Sequence, residues 1–240
     1  MSDFPRLLLL SSSRTQGTEY LEHARDWLRA FLGGAVERIA FVPFAGVSVG
    51  WDDYAAKAAD ALRPLGYAVE AVHRAADPLE TVLGADAILV GGGNTFQLLN
   101  ELYRRDLLGP IRDCVLDGMP YVGWSAGSNM ACPTLRTTND MPIVQPPDFA
   151  ALNLLPFQIN AHYTDAMPPG HQGETRAQRL EEFLRVNPED VVIGLPEGAA
   201  LRREGGRLTS LGGPPAREFR HGREPVEHPP GSDLSDLLRG

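Results

Sequence analysis

Met119-Pro120-Tyr121-Val122-Gly123-Trp124-Ser125-Ala126-Gly127-Ser128-Asn129 begins as an apolar run and ends in Gly123-x-Ser125-x-Gly127. Tyr121 to Trp124 has the character of a buried strand. Ala126 to Ala131 can continue as a helix. A strand-to-helix turn this sharp forces its central residue into strained geometry and lifts the side chain clear of the sheet. Gly123 and Gly127 remove the Cβ atoms that would clash. This is the pattern of a nucleophile elbow, with Ser125 as covalent catalyst. An ordinary Gly-rich loop would carry the same five residues, and the strand ahead of them favours the elbow.

Outward from this stretch, strands and helices alternate. The expected strands are Arg6 to Ser12, Arg38 to Phe44, Tyr67 to His73 and Asp86 to Gly91. The expected helices are Thr18 to Leu32, Asp52 to Leu65, Asp77 to Leu83, Phe96 to Arg105 and Ile111 to Asp117. This spacing predicts βαβ units and a mostly parallel sheet with helices on both faces, an α/β fold. Sites in such sheets form at the carboxyl ends of strands. Gly91-Gly92-Gly93 and Ser125 both fall at such ends.

Beyond Cys132, Pro133 to Asp148 is polar and proline-rich. An apolar run, Leu154 to His162, is followed by a helix, Glu174 to Val186, and a strand, Val191 to Leu195. Short strands joined by Gly-rich turns are expected over 199–220. Residues 1–220 thus read as a single catalytic domain. The tail 221–240, rich in Pro, Gly and charge, is expected to be loose, with Ser232 capping a last short helix.

A chain of 240 residues can bury a sizeable core. The formal net charge of −9 argues against a nucleic-acid partner and an anionic membrane surface. No apolar stretch reaches the roughly 18 residues of a membrane span. The apolar core at Leu7 to Leu10 is too short for a signal peptide. Two cysteines, Cys114 and Cys132, provide no disulfide framework and fit a reducing cytoplasm. Both read as structural, since Cys132 has no basic neighbour to lower its pKa. No Cys/His cluster suggests a metal, and no cofactor is implied. The chain is compatible with a homodimer.

A serine nucleophile needs a base, which is usually a histidine oriented by a carboxylate. Among the six histidines, His162 ends an apolar run and is therefore held at a strand end. Two carboxylates compete to orient it: Asp140, in the loop after the elbow helix, and Glu197, which follows a buried strand. Backbone N–H groups of Gly92 or Gly93, with that of Ala126, have the logic of oxyanion donors. The other reading of Gly91-Gly92-Gly93, a phosphate cradle, lacks both a Gly-Lys-Ser/Thr and a full G-x-G-x-x-G.

With these residues located, the sequence resembles peptidase E, a family of aspartyl dipeptidases. The resemblance is carried by Phe41-Val42-Pro43-Phe44-Ala45-Gly46-Val47, by Val90 to Leu99, and by Gly123 to Asn129. It continues through Arg136 to Val144, Gly173-Glu174-Thr175-Arg176 and Ile193 to Gly198, in register from about Leu7 to Pro214. It implies a fold like that of class I glutamine amidotransferases, with serine in place of cysteine. It also implies a cytoplasmic serine peptidase without metal that hydrolyses dipeptides bearing an N-terminal aspartate. By motif, the nucleophile is Ser125 and the base His162. The third member maps onto Glu197, and a functionally essential loop aspartate maps onto Asp140.

The substrate is then a small acidic dipeptide. It demands a cation for the aspartyl side chain, for which Arg176 is the choice because a guanidinium binds carboxylate in a fixed fork. Asp140 would serve the α-ammonium if Glu197 serves the histidine, and Asn94 is a further substrate-binding candidate. Two positions depart from the family pattern: Ala161 stands where proline is expected, and Ser128 where alanine is usual. The expected effects are on loop stiffness and on the pocket wall. The competing readings are a cyanophycinase-like hydrolase of β-aspartyl links and a non-catalytic module that binds acidic peptides.

Overall fold

The computed structural model describes residues 5–167, 169–170 and 172–239. Five short apolar strands form its centre: β1 (Leu7–Leu10), β2 (Arg38–Val42), β3 (Ala68–Ala71), β4 (Ala87–Val90) and β5 (Tyr121–Trp124). They pair in parallel in the order β3-β2-β4-β5-β1. Leu-Leu-Leu-Leu and Ala-Ile-Leu-Val suit strands covered on both faces, where alternation has no use. Beyond β1 the sheet continues antiparallel through β8 (Ala199–Glu204) and β9 (Arg207–Gly212), making seven strands. The α/β class and the mostly parallel sheet are as the sequence indicates.

Both faces are covered. Leu8 and Leu10 pack with α1 (Arg25–Leu32) and α2 (Trp51–Leu62). Leu7 and Leu9 pack in the core formed with α3 (Pro78–Leu83), α4 (Thr95–Arg104), α5 (Leu108–Leu116) and the short α6 (Ala126–Asn129). Helix starts follow capping chemistry. Asp77 accepts from the N–H groups of Leu79 and Glu80 before α3, and Asn94 from that of Gln97 before α4.

The helix expected over 18–32 is interrupted. Leu21 adopts φ 57°, Glu22–Ala24 forms a 3-10 turn, and only Arg25–Leu32 is α-helical. The Thr18 hydroxyl accepts the Thr15 N–H at 2.9 Å, a local side-chain bond that competes with the helix. The turn leaves Tyr20 edge-on to Trp124, with ring centroids 6.0 Å apart.

A second sheet was not anticipated. β6 (Gln158–Ala161) and β7 (Val191–Leu195) pair in parallel, and β10 (Ala216–Arg220) and β11 (Val226–His228) extend them antiparallel in the order β11-β10-β7-β6. Ile159, Ile193 and Leu195 join the main core. On the other side, Val192 and Phe219 pack against Leu180 and Leu184 of α7 (Arg176–Val186). The layer brings β6 and β7, and with them His162 and Glu197, over the main sheet.

The expectation of a loose tail is corrected. Val226–His228 pairs with β10, and Leu234 and Leu237 are buried in the main core. The Leu234 N–H reaches the Leu208 carbonyl at 2.8 Å. Proline and charge hide these two leucines in the composition, yet each contributes about 1.5–3 kcal/mol by burial. Leu234→Ala is therefore expected to lower the unfolding free energy by about 2–4 kcal/mol in urea denaturation. A tail that packed on nothing would leave it unchanged.

Candidate active site

The elbow is real in its geometry. Ser125 has φ 54° and ψ −114°, a left-handed conformation that costs a non-glycine residue about 1–3 kcal/mol. A Cβ at Gly123 would lie 2.4 Å from the Gly127 carbonyl oxygen, and one at Gly127 would lie 2.1 Å from that of Val90. The turn closes because neither atom exists. The Ser125 N–H donates to the Leu10 carbonyl at 3.0 Å, tying the elbow to the end of β1.

His162, at the end of β6, is the second strained residue, with φ 55°. Its N–H donates to the Ser11 hydroxyl at 2.9 Å, and that hydroxyl donates to the Leu195 carbonyl at 2.7 Å. Buried Ser11 thus joins β1, β6 and β7. The sequence marks it only as the polar end of a strand, so its role was missed.

From this position, His162 Nε2 lies 2.9 Å from Ser125 Oγ, and its Nδ1 lies 3.0 Å from Glu197 Oε1. A carboxylate accepts only, so Nδ1 carries the proton and Nε2 is free to accept from the serine hydroxyl. The candidate nucleophile, base and orienting carboxylate thus meet in one chain of contacts. Glu197 is held because the Gly198 N–H donates to the Ser12 hydroxyl at 3.3 Å.

Asp140 stands elsewhere. Its Oδ2 accepts from the Thr95 N–H at 2.7 Å, the Thr95 hydroxyl at 2.5 Å and the Thr138 hydroxyl at 3.2 Å. That puts it at the amino end of α4, and the carboxylate beside His162 Nδ1 is that of Glu197. Asn94 is also engaged on both sides of its amide: Oδ1 caps α4, and Nδ2 donates to the Met141 carbonyl at 2.8 Å.

A cleft of about 580 Å³ opens above Ser125 and His162. Gly92, Gly93, Asn94, Tyr54 and Lys57 are among its lining residues. The N–H groups of Gly92, Gly93 and Ala126 meet no acceptor among the described residues. The Gly92 carbonyl accepts from the Tyr54 hydroxyl at 2.9 Å, and that oxygen accepts from Trp124 Nε1 at 3.0 Å. In a trans peptide the carbonyl and the following N–H point in opposite directions, so this bond turns the Gly93 N–H away from Tyr54. A larger groove of about 630 Å³, lined by Phe96 and residues 142–149, holds none of the candidate catalytic residues.

Arg176 does not line the cleft. It opens α7, whose Ala177 N–H is held by Asp165 Oδ1 at 3.0 Å, three residues after His162. The other oxygen of Asp165 is taken by Arg217 at 2.9 Å. Arg176 is half-buried, and among the described residues no carboxylate lies within 4 Å of it. Burial, reinforced by the Arg179 charge, pulls its pKa below the ordinary arginine value.

Ser128 departs from the expectation of a pocket-wall residue. It is fully buried, and its hydroxyl donates to the carbonyls of Leu10 at 2.7 Å and Gly123 at 3.0 Å. Ala161 ends β6 with its carbonyl accepting from Asn139 Nδ2 at 2.7 Å. Cys132 is structural: its sulfur accepts the Ile159 N–H, and burial pushes the thiol up to about 12. Among the described residues no three His, Cys, Asp or Glu side chains form a metal-binding group, and no helix is long and apolar enough to cross a membrane.

The profile of Peptidase family S51 matches residues 7–211. A peptidase E from Shewanella amazonensis is 52% identical over 233 residues, covering 97% of this chain and 99% of that one. A peptidase E from Nostoc is 48% identical, covering 97% of this chain and 96% of its own. In shape, the chain is similar to a peptidase from an acI-B1 Actinobacterium, with a TM-score of 0.69 at 18% identity over 96% of each chain.

Ser11→Ala should leave the His162 N–H without its partner and take one of two bonds from the buried Leu195 carbonyl, which keeps that from the Tyr163 N–H. The expected loss of unfolding free energy is about 1–3 kcal/mol, read by urea denaturation. A variant as stable as the wild type would mean that Ser11 does not hold the histidine segment.

Proposed function

The chain belongs to peptidase family S51 and is a serine peptidase, and on that premise we propose that it hydrolyses dipeptides with an N-terminal aspartate through an acyl-enzyme on Ser125. The observation that carries this reading is the closed relay from Ser125 through His162 to Glu197, at 2.9 and 3.0 Å, beside backbone N–H groups with no internal acceptor.

Ser125 Oγ attacks the carbonyl carbon of the Asp-X bond while its proton passes to His162 Nε2. Glu197 faces the imidazolium that results. The Ala126 N–H, with that of Gly92 or Gly93, receives the negative oxygen. His162 then gives its proton to the nitrogen as the C–N bond breaks. Water repeats the sequence on the ester and releases aspartate.

Selectivity rests on Arg176. A half-buried guanidinium without an ion pair is poorly solvated, and a carboxylate restores what it lacks. Its helix is anchored, through the Ala177 N–H and Asp165, to the segment leaving His162, and this tie is what supports its assignment. Asp140 is committed to Thr95, and its part is to hold the amino end of α4 beside Asn94 and the Gly-rich turn.

Ser125→Ala should reduce Asp-Leu hydrolysis by about 10⁴-fold or more with the fold intact. Retention of a tenth of the activity contradicts the covalent route. Arg176→Ala should reduce kcat/KM for Asp-Leu by about 30-fold or more and shrink discrimination against Asn-Leu. Equal losses on both substrates would give Arg176 a structural role. Preferential hydrolysis of β-Asp-Leu by the wild type would favour the cyanophycinase-like reading.

A further inference from the structure

Lys57 is the only lysine among the 240 residues; all 21 other cations of the 22 are arginines. It sits in α2, one turn beyond Tyr54, and both side chains line the cleft that holds Ser125 and His162. Its ammonium lies over the Tyr20 ring, 4.6 Å from the centroid. Among the described residues it has no carboxylate within 4 Å, whereas the flanking Asp52 and Asp60 pair with Arg74 and Arg63. An unpaired cation on an aromatic seat, in the cleft of the nucleophile, is a place for an anion.

We propose that Lys57 binds the free C-terminal carboxylate of the dipeptide, the group that leaves with the second residue. This rests on the Asp-X dipeptidase reading and deepens it. Such a substrate carries two carboxylates, one on the aspartyl side chain and one at its C-terminus. Two of the cations that have no ion pair among the described residues match them: Arg176, whose helix is anchored to the segment after His162, and Lys57, in the cleft itself over Tyr20.

In a dipeptide the second carboxylate carbon lies about 3–4 Å from the scissile carbonyl carbon, one residue of chain. A longer peptide has a neutral amide at that place. The cation thus selects for length: the enzyme reads the end of its substrate as well as its first side chain. A flexible four-carbon stem suits a carboxylate carried by leaving residues of different size. Val47, Val49 and Ile143 form an apolar wall of the same cleft, so leucine is the leaving residue of choice for the test.

The experiment compares Asp-Leu with Asp-Leu amide, which differ only in the terminal charge. Wild-type enzyme should prefer Asp-Leu by about tenfold in kcat/KM. Lys57→Met should lower kcat/KM for Asp-Leu by about the same factor, mainly through KM, and leave the amide within about twofold. Lys57→Arg should recover most of the loss, and the preference should weaken as salt is raised. A lysine that merely supports Tyr20 and the fold would affect both substrates alike, and that result overturns the proposal. An Asp-Leu rate unchanged in Lys57→Met overturns it too. If the wild type cleaves neither compound, the dipeptidase reading itself falls, and this assignment with it.

Discussion

Three consecutive residues at the end of β1 hold the candidate catalytic groups together. The Leu10 carbonyl accepts the Ser125 N–H and the Ser128 hydroxyl. The Ser11 hydroxyl bridges the His162 N–H and the Leu195 carbonyl, and the Ser12 hydroxyl receives the Gly198 N–H. The candidate nucleophile, base and carboxylate come from three different strand ends in two different sheets, and each is referred to this one segment. The bonds are largely buried, where an unmet partner costs about 1–3 kcal/mol, so the arrangement resists sliding.

That rigidity is what permits strain. Ser125 and His162 both adopt positive φ, a conformation that neither would choose alone. At Ser125 the strain is held by absent Cβ atoms at Gly123 and Gly127 and by the bond to Leu10. At His162 it is held by Ser11. The consequence is a half-buried hydroxyl at the floor of the cleft with a base already at hydrogen-bond distance, so little ordering remains to be done when a substrate arrives.

Much of this was legible in the residues. The alternation of apolar runs with helical spacing led to the parallel sheet, and Gly123-x-Ser125-x-Gly127 led to the elbow. The choice between Asp140 and Glu197 was not legible, because each carboxylate follows a plausible structural element. Only the partners separate them: Thr95 captures the first, and His162 meets the second. Ser11 and Ser12 were invisible for a different reason, since a serine at a strand end gives no sign of what will be folded over it. The second sheet escaped for another reason: β7 and β10 are expected as strands, but pairing partners are not written in a strand, and β11 is short and flanked by Pro. Nothing in the sequence singles out Lys57 as part of the site, and its meaning depends on Tyr20, which an interrupted helix brings alongside.

The central claim is that Ser125 is the covalent nucleophile of this relay. The most direct test treats the protein with a diphenyl phosphonate analogue of aspartate, then locates the adduct by peptide mass mapping while following Asp-Leu hydrolysis. The account predicts one adduct per chain, on Ser125, with activity lost in proportion. Hydrolysis that continues undiminished, or an adduct on another residue such as Ser11 or Ser128, would contradict it.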